Sequence, residues 1–131
     1  MSEPTPQAPN HLNHNVIVVV EDDEEIGTLL TELIQEQTTL EVQHHVTGNQ
    51  ALQVVSEALP QLFILDYNLP DMSGLELHDR LHTFEHLRTV PTLVMSSMKP
   101  PLRELQKRAL IFLAKPFDLM ELLHTITKLL A

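Results

Sequence analysis

The chain has 131 residues, none of them cysteine, only three glycines, and eight Lys and Arg against eighteen Asp and Glu. Without cysteine there is no disulfide framework and no thiolate chemistry. Three scattered glycines cannot build a G-x-G-x-x-G loop, which excludes a dinucleotide-binding turn. The net charge of −10 leaves little cationic surface for a phosphate backbone, so no direct nucleic-acid contact is expected and the partner should be a protein. The longest basic cluster, Arg103, Lys107 and Arg108, reads as a solvated helix face. No apolar run approaches the length of a membrane span. Residues 1–15 have neither a basic n-region nor an apolar h-region, so no secretory leader is expected. A cytoplasmic protein without membrane contact is compatible with these absences.

What is present suits one domain with a proper core, at 43% hydrophobic content. Residues 1–15, with Pro4, Pro6 and Pro9 and no periodicity, are expected to be a disordered tail, and residues 16–131 the domain. His11 and His14 lie on that tail without a third ligand and read as plain tail. The β-branched run of residues 16–20 predicts a strand buried on both faces. Asp22 or Asp23 can cap a helix with Ile26, Leu29, Leu30, Leu33 and Ile34 on one face. Residues 40–46 alternate as a half-exposed edge strand, with His44 and His45 on opposite sides. Gly48-Asn49 turns into a second helix with an apolar face of Ala51, Leu52, Val55, Ala58 and Leu59, stopped by Pro60. A third strand covers 62–66, and a third helix shows Leu77, Leu81 and Phe84. Pro91 opens a fourth strand ending at Ser96, Pro100-Pro101 begin a short helix, and 110–114 form a fifth strand. Asp118 starts a last helix with Leu119, Leu122, Leu123, Ile126 and Leu130 on its face. Five β-α repeats predict an α/β fold with a parallel sheet and helices on both faces.

The chemistry concentrates at the predicted strand ends. Glu21-Asp22-Asp23, Asp66, Ser96-Ser97 and Lys115-Pro116 each follow an apolar run, and strand C-termini of a parallel sheet share one ligand-binding edge. Mg²⁺ takes oxygen ligands. Asp22 and Asp66 could supply two, the carbonyl of Asn68 a third, and Glu21 another directly or through water. An acidic helix N-terminus explains Asp23, Glu24 and Glu25 by themselves, but not a second strand-end carboxylate at Asp66. A charged Asp66 after Phe63-Ile64-Leu65 costs free energy unless it is paired or metal-bound, and ionised it is a competent nucleophile toward phosphorus. Lys115 is its natural counter-ion, and Ser96 can donate to a phosphoryl oxygen.

Together these residues resemble the receiver domain of two-component response regulators, over roughly residues 15–130. The strongest pieces are Val18 through Asp23, Leu62 through Gly74, and Lys115-Pro116-Phe117. The intervals Asp22 to Asp66 and Asp66 to Ser96 match the family's usual spacing. The resemblance implies a (βα)5 doubly wound, five-stranded parallel sheet of flavodoxin-like order 2-1-3-4-5. It implies that Asp66 accepts a phosphoryl group from a histidine kinase or phosphotransfer protein. Glu21, Asp22, Asp66 and the carbonyl of Asn68 would hold Mg²⁺, and Lys115 would contact the phosphoryl oxygens. Ser96 and Phe112 would form the switch, altering the surface of the fourth helix, fifth strand and fifth helix. A cis peptide before Pro116 belongs to the same expectation. The output would pass to a separate effector protein, with a homodimer left open, and the chain would catalyse only its own phosphorylation and dephosphorylation. Apolar Met98, two residues after Ser96, cannot orient water, so slow self-dephosphorylation is expected.

One departure stands out. The interval from Ser96 to Lys115 is 19 residues, about three fewer than the family's usual one, just under a helical turn. Arg108-Ala109-Leu110 stands where a Gly-Ala turn is usual, so the fourth helix should be short or irregular. That leaves one alternative in play, a degenerate receiver acting as a phosphorylation-independent interaction module. A haloacid-dehalogenase-like phosphohydrolase would need an acid where Asn68 stands.

Overall fold

A computed structural model of the chain describes residues 15–55 and 59–131. Five parallel strands run in the order β2-β1-β3-β4-β5: β1 (Val16–Val20), β2 (Glu41–His45), β3 (Leu62–Asp66), β4 (Thr92–Ser96) and β5 (Ile111–Ala114). The helices α1 (Glu24–Gln37), α2 (Gly48–Val54), α3 (Gly74–Leu81), α4 (Leu102–Lys107) and α5 (Leu119–Leu130) alternate with them, and a 3-10 turn at Glu85–Leu87 precedes β4. This is the parallel sheet with helices on both faces that the β-α pattern predicts, in the order 2-1-3-4-5 that the receiver-domain resemblance implies. The expected tail lies, apart from Asn15, outside the described residues, as does Ala58 of the second apolar face.

Side-chain alternation along the strands divides the core in two. Ile17, Val19, Leu62 and Ile64 pack with Leu30 and Ile34 of α1 and Leu122 and Ile126 of α5. Val16, Val18, Phe63 and Leu65 pack with Ala51 of α2 and Leu77 and Leu81 of α3. Each Val, Leu, Ile or Phe among them, taken fully out of water, contributes about 1.5–3 kcal/mol before entropy is counted. A third, smaller cluster of Leu75, Val94, Leu105 and Leu110 lies under α4. β1, β3 and β4 are buried throughout, so the C-terminal ends of the central strands are packed between the two helix layers.

Several details differ from the periodicity. Leu29 falls outside the buried stripe of α1, at 54% exposure. α3 ends at Leu81, so Phe84 packs from the connection beyond it. β5 begins at Ile111, after Leu110. α4 has only six residues, short as expected.

The end of α4 is held by two devices. The Leu110 N–H donates to the Leu105 carbonyl (2.9 Å) and the Ala109 N–H to that of Gln106 (3.1 Å). This is the pairing of a Schellman cap, with Leu105 and Leu110 in apolar contact across it. Ala109, at the position that favours glycine, has φ 55°. The left-handed region costs an L-residue about 1–2 kcal/mol, partly offset by glycine's greater unfolded-state freedom. Ala109→Gly is therefore expected to stabilise the fold by about 0.5–1 kcal/mol, read as a higher urea midpoint. Arg108 corrects the reading of a solvated basic face. Its guanidinium donates to both carboxylate oxygens of Asp79 on α3 (2.8 and 2.9 Å) and to Glu104 (2.8 Å), and its side chain is only 16% exposed.

Candidate functional site

Glu21 follows β1, Asp66 and Ser96 close β3 and β4, and Lys115 follows β5, so the parallel sheet brings all four to one edge. Glu21 is wholly buried, and Asp66 almost so. The Glu21 N–H donates to the His45 carbonyl (2.9 Å), which continues the β1–β2 ladder past the strand. Its Oε1 accepts from Lys115 Nζ at 2.7 Å and its Oε2 from the Asp23 N–H at 3.1 Å. Lys115 Nζ also lies 3.4 Å from Asp66 Oδ1. The Lys115-Pro116 peptide is cis. Asp22 is exposed beside this pair, and Asp23 caps α1 by accepting from the Glu25 and Ile26 N–H groups.

Burial pushes the Glu21 carboxyl above its ordinary range, and the Lys115 and Asp23 hydrogen bonds offset this only in part. Burial acts to lower Lys115 as well. The hydrogen bond and charge of Glu21, followed by Asp66, outweigh it and leave the ammonium raised. Three carboxylates around one ammonium leave a net negative site.

Carboxylate oxygens of Glu21, Asp22 and Asp66 all lie within 4.8 Å of one another. An all-oxygen donor set with surplus negative charge, part buried and part open to water, fits a hard dication such as Mg²⁺. Asn68 is exposed two residues beyond Asp66, bridged to Ser73. The loop between them is pinned twice. The Gly74 N–H donates to the Tyr67 carbonyl (2.7 Å), and Asp71 accepts from the Gly48 and Asn49 N–H groups at the start of α2 (3.0 and 2.8 Å). Slight burial acts to raise the Asp71 carboxyl, but those two N–H groups outweigh it and hold it below its ordinary value.

Ser96 closes β4 beside the end of β3, and its hydroxyl is engaged within its own loop. Ser96 Oγ donates to the Met98 carbonyl and accepts from the Met98 N–H, which closes a small turn. Phe112 is half-buried against the cluster under α4. The Met98 side chain is 75% exposed.

Two features had no signal in the sequence. An apolar groove of about 370 Å³ runs between Ile26 and Leu29 of α1 and Ser97, Pro116 and Phe117, with Lys115 in its wall. His44 on β2 packs its ring against Gly27 near the start of α1 and bonds the Glu21 carbonyl at 2.8 Å. Both depend on which element packs against α1, and periodicity within one segment does not report that.

The family model of the response regulator receiver domain matches residues 17–127. The chain belongs to that family. This receiver domain is a protein of two-component signalling, and its relatives support that placement. It is 30% identical over 115 residues to the sporulation initiation phosphotransferase F of Bacillus subtilis, covering 87% of this chain and 92% of that protein. It is 32% identical over 117 residues to the phosphate regulon transcriptional regulatory protein PhoB of Rhizobium meliloti, covering 87% of this chain. The matched stretch covers 51% of that relative's length. The chemotaxis response regulator CheY4 of Vibrio cholerae shares the fold with a TM-score of 0.82 at 23% identity, over 89% of this chain and 99% of that one. Among the described residues, no helix is long and apolar enough to cross a membrane.

Proposed function

We propose that this receiver domain accepts a phosphoryl group on Asp66 from a histidine kinase or histidine phosphotransfer protein in the cytoplasm. The modified domain then presents an altered surface to a separate effector. One observation carries the reading: a nearly buried carboxylate at a strand end, 3.4 Å from an ammonium and within ligand range of two further acids. An Asp66 oxygen attacks phosphorus, and the bond from phosphorus to the donor's imidazole nitrogen breaks as the new P–O bond forms. The Lys115 ammonium redirects an N–H from Glu21 to the incoming phosphoryl oxygens. Glu21, Asp22, Asp66 and the Asn68 carbonyl would hold Mg²⁺, which when bound supplies charge neutralisation for the transferred group. Ser96 leaves its turn with Met98 to donate to a phosphoryl oxygen, and Phe112 moves with the loop it vacates. Asp66 is the acceptor and the chain turns over no other substrate.

The groove beside Lys115 suits the donor. It is apolar, its wall includes Lys115, which lies 3.4 Å from Asp66, and its Leu29 also lines a neighbouring hollow with Glu24, Glu25 and Glu32, so an amphipathic donor helix with basic flanks fits there. Met98, Leu102 and Ile111 are exposed large apolar side chains around α4 and β5, available to an effector or to a second copy. The short α4 leaves the acidic site complete, so nothing favours a phosphorylation-independent module.

Intact mass after incubation with acetyl phosphate and Mg²⁺ tests the proposal. The wild type should gain about 80 Da, the mass of one phosphoryl group. Asp66→Asn, and wild type in chelator, should gain nothing. An unmodified wild type, or an equal gain in Asp66→Asn, would refute the assignment.

A further inference from the structure

His44 sits on edge strand β2, one residue before the carbonyl that receives the Glu21 N–H. Its Nε2 lies 2.8 Å from the Glu21 carbonyl oxygen. A carbonyl can only accept, so Nε2 carries the proton and donates. The Glu21 residue is therefore gripped by β2 from both sides, its N–H by the His45 carbonyl and its C=O by the His44 ring. That peptide leads directly into Asp22. The ring has room because residue 27 of α1 is glycine, and a Cβ on Gly27 would overlap all three nearest ring atoms of His44. Gly27 is buried, in the first turn of a helix where alanine is the better helix former. Its absent side chain is explained by the ring it admits.

We propose that His44 is a positioning residue for the acidic turn, holding Glu21 and Asp22 in register with Asp66 through the Glu21 carbonyl. The consequence for Mg²⁺ rests on the site reading given above; the grip on the turn does not. Groups one step behind metal ligands commonly alter affinity by about 10–100-fold when removed. The single tyrosine, Tyr67, follows Asp66 directly, and the chain has no tryptophan, so tyrosine emission reports the site.

The test compares wild type, His44→Leu, His44→Gln and Gly27→Ala. Glutamine places an amide N–H close to the Nε2 position; leucine keeps bulk without a donor. Gly27→Ala leaves His44 chemically intact and displaces its ring, while favouring the helix. Mg²⁺ titrations followed by Tyr67 emission should show about tenfold weaker binding in His44→Leu and Gly27→Ala, and near wild-type binding in His44→Gln. In chelator, amide hydrogen exchange should be faster at Asp23, whose N–H bonds Glu21 Oε2, in the first two variants and unchanged in the third. A merely structural His44 would lower melting temperature without this pattern.

Equal Mg²⁺ affinity and equal Asp23 exchange in wild type and His44→Leu would overturn the inference. So would a His44→Gln protein as impaired as His44→Leu. If His44→Leu does not fold, Gly27→Ala against His44→Gln decides alone. If wild type shows no Mg²⁺ response, the metal reading of the site falls, and the exchange pattern still judges His44.

Discussion

Lys115→Met is expected to destabilise the domain by about 3 kcal/mol at pH 7.5, because it leaves a buried charge without its partner. Glu21 is wholly buried and the Lys115 side chain 19% exposed, so the loss falls at the low end of the range for broken buried pairs. The pH dependence identifies the cause. Glu21 already titrates above its ordinary 4.5. A carboxyl raised in the folded state contributes stability that is complete below its unfolded value and lost as pH rises through its folded value. Without the ammonium, the folded value moves further up. Lys115→Met should therefore recover toward wild type between pH 7.5 and pH 5. Lys115 itself is raised above 10.5, so its contribution to the wild type is present below that value and lost as pH rises past its folded one. Urea titrations at the two pH values measure the gap, and Glu21→Gln added to Lys115→Met should restore much of it. An equal loss at both pH values would contradict the buried-charge account.

Gly74→Ala should be nearly as costly, about 2–3 kcal/mol, in the range of overpacked cores. A Cβ there would stand 2.5 Å from the Asp66 carbonyl oxygen and 3.1 Å from Tyr67 Cα. Both obstacles are backbone, so the start of α3 must retreat from the end of β3. The retreat stretches the 2.7 Å bond from Gly74 N–H to the Tyr67 carbonyl and shifts Asp66. A lower urea midpoint should accompany a slower mass gain from acetyl phosphate. At Gly27 the obstacle is a side-chain ring that can rotate away, so alanine should cost far less stability there.

The contrast between these glycines marks what the sequence could disclose. Val16–Val20 and Leu62–Asp66 announce buried strands because burial on both faces demands unbroken apolar runs, and a carboxylate closing such a run is conspicuous. Glu21 and Asp66 were legible for that reason, Lys115 from the Lys115-Pro116-Phe117 run that follows the fifth strand, and the parallel topology carried them, with Asp22, to one edge. The shortness of α4 was legible from the interval between Ser96 and Lys115. Arg108 was not, because Asp79 lies 29 residues away on a different helix and local charge pattern suggested solvent. His44 looked like one residue of an alternating edge strand until Gly27 was placed beneath it. Ser96 could be located, but its own turn with Met98 depends on a hydroxyl rotamer that no spacing encodes.

The hydrophobic clusters differ in size, and this sets where the domain can loosen. The four residues under α4 form a patch separate from the two large clusters that enclose β1 and β3. Small packed units open at a fraction of the global unfolding free energy. Slow amide exchange should therefore map to β1 and β3, with α4 exchanging through a cheaper, sub-global opening. A surface built on that patch can be taken apart and rebuilt while the strands that aim Glu21 and Asp66 stay closed, so the acidic edge keeps its geometry throughout.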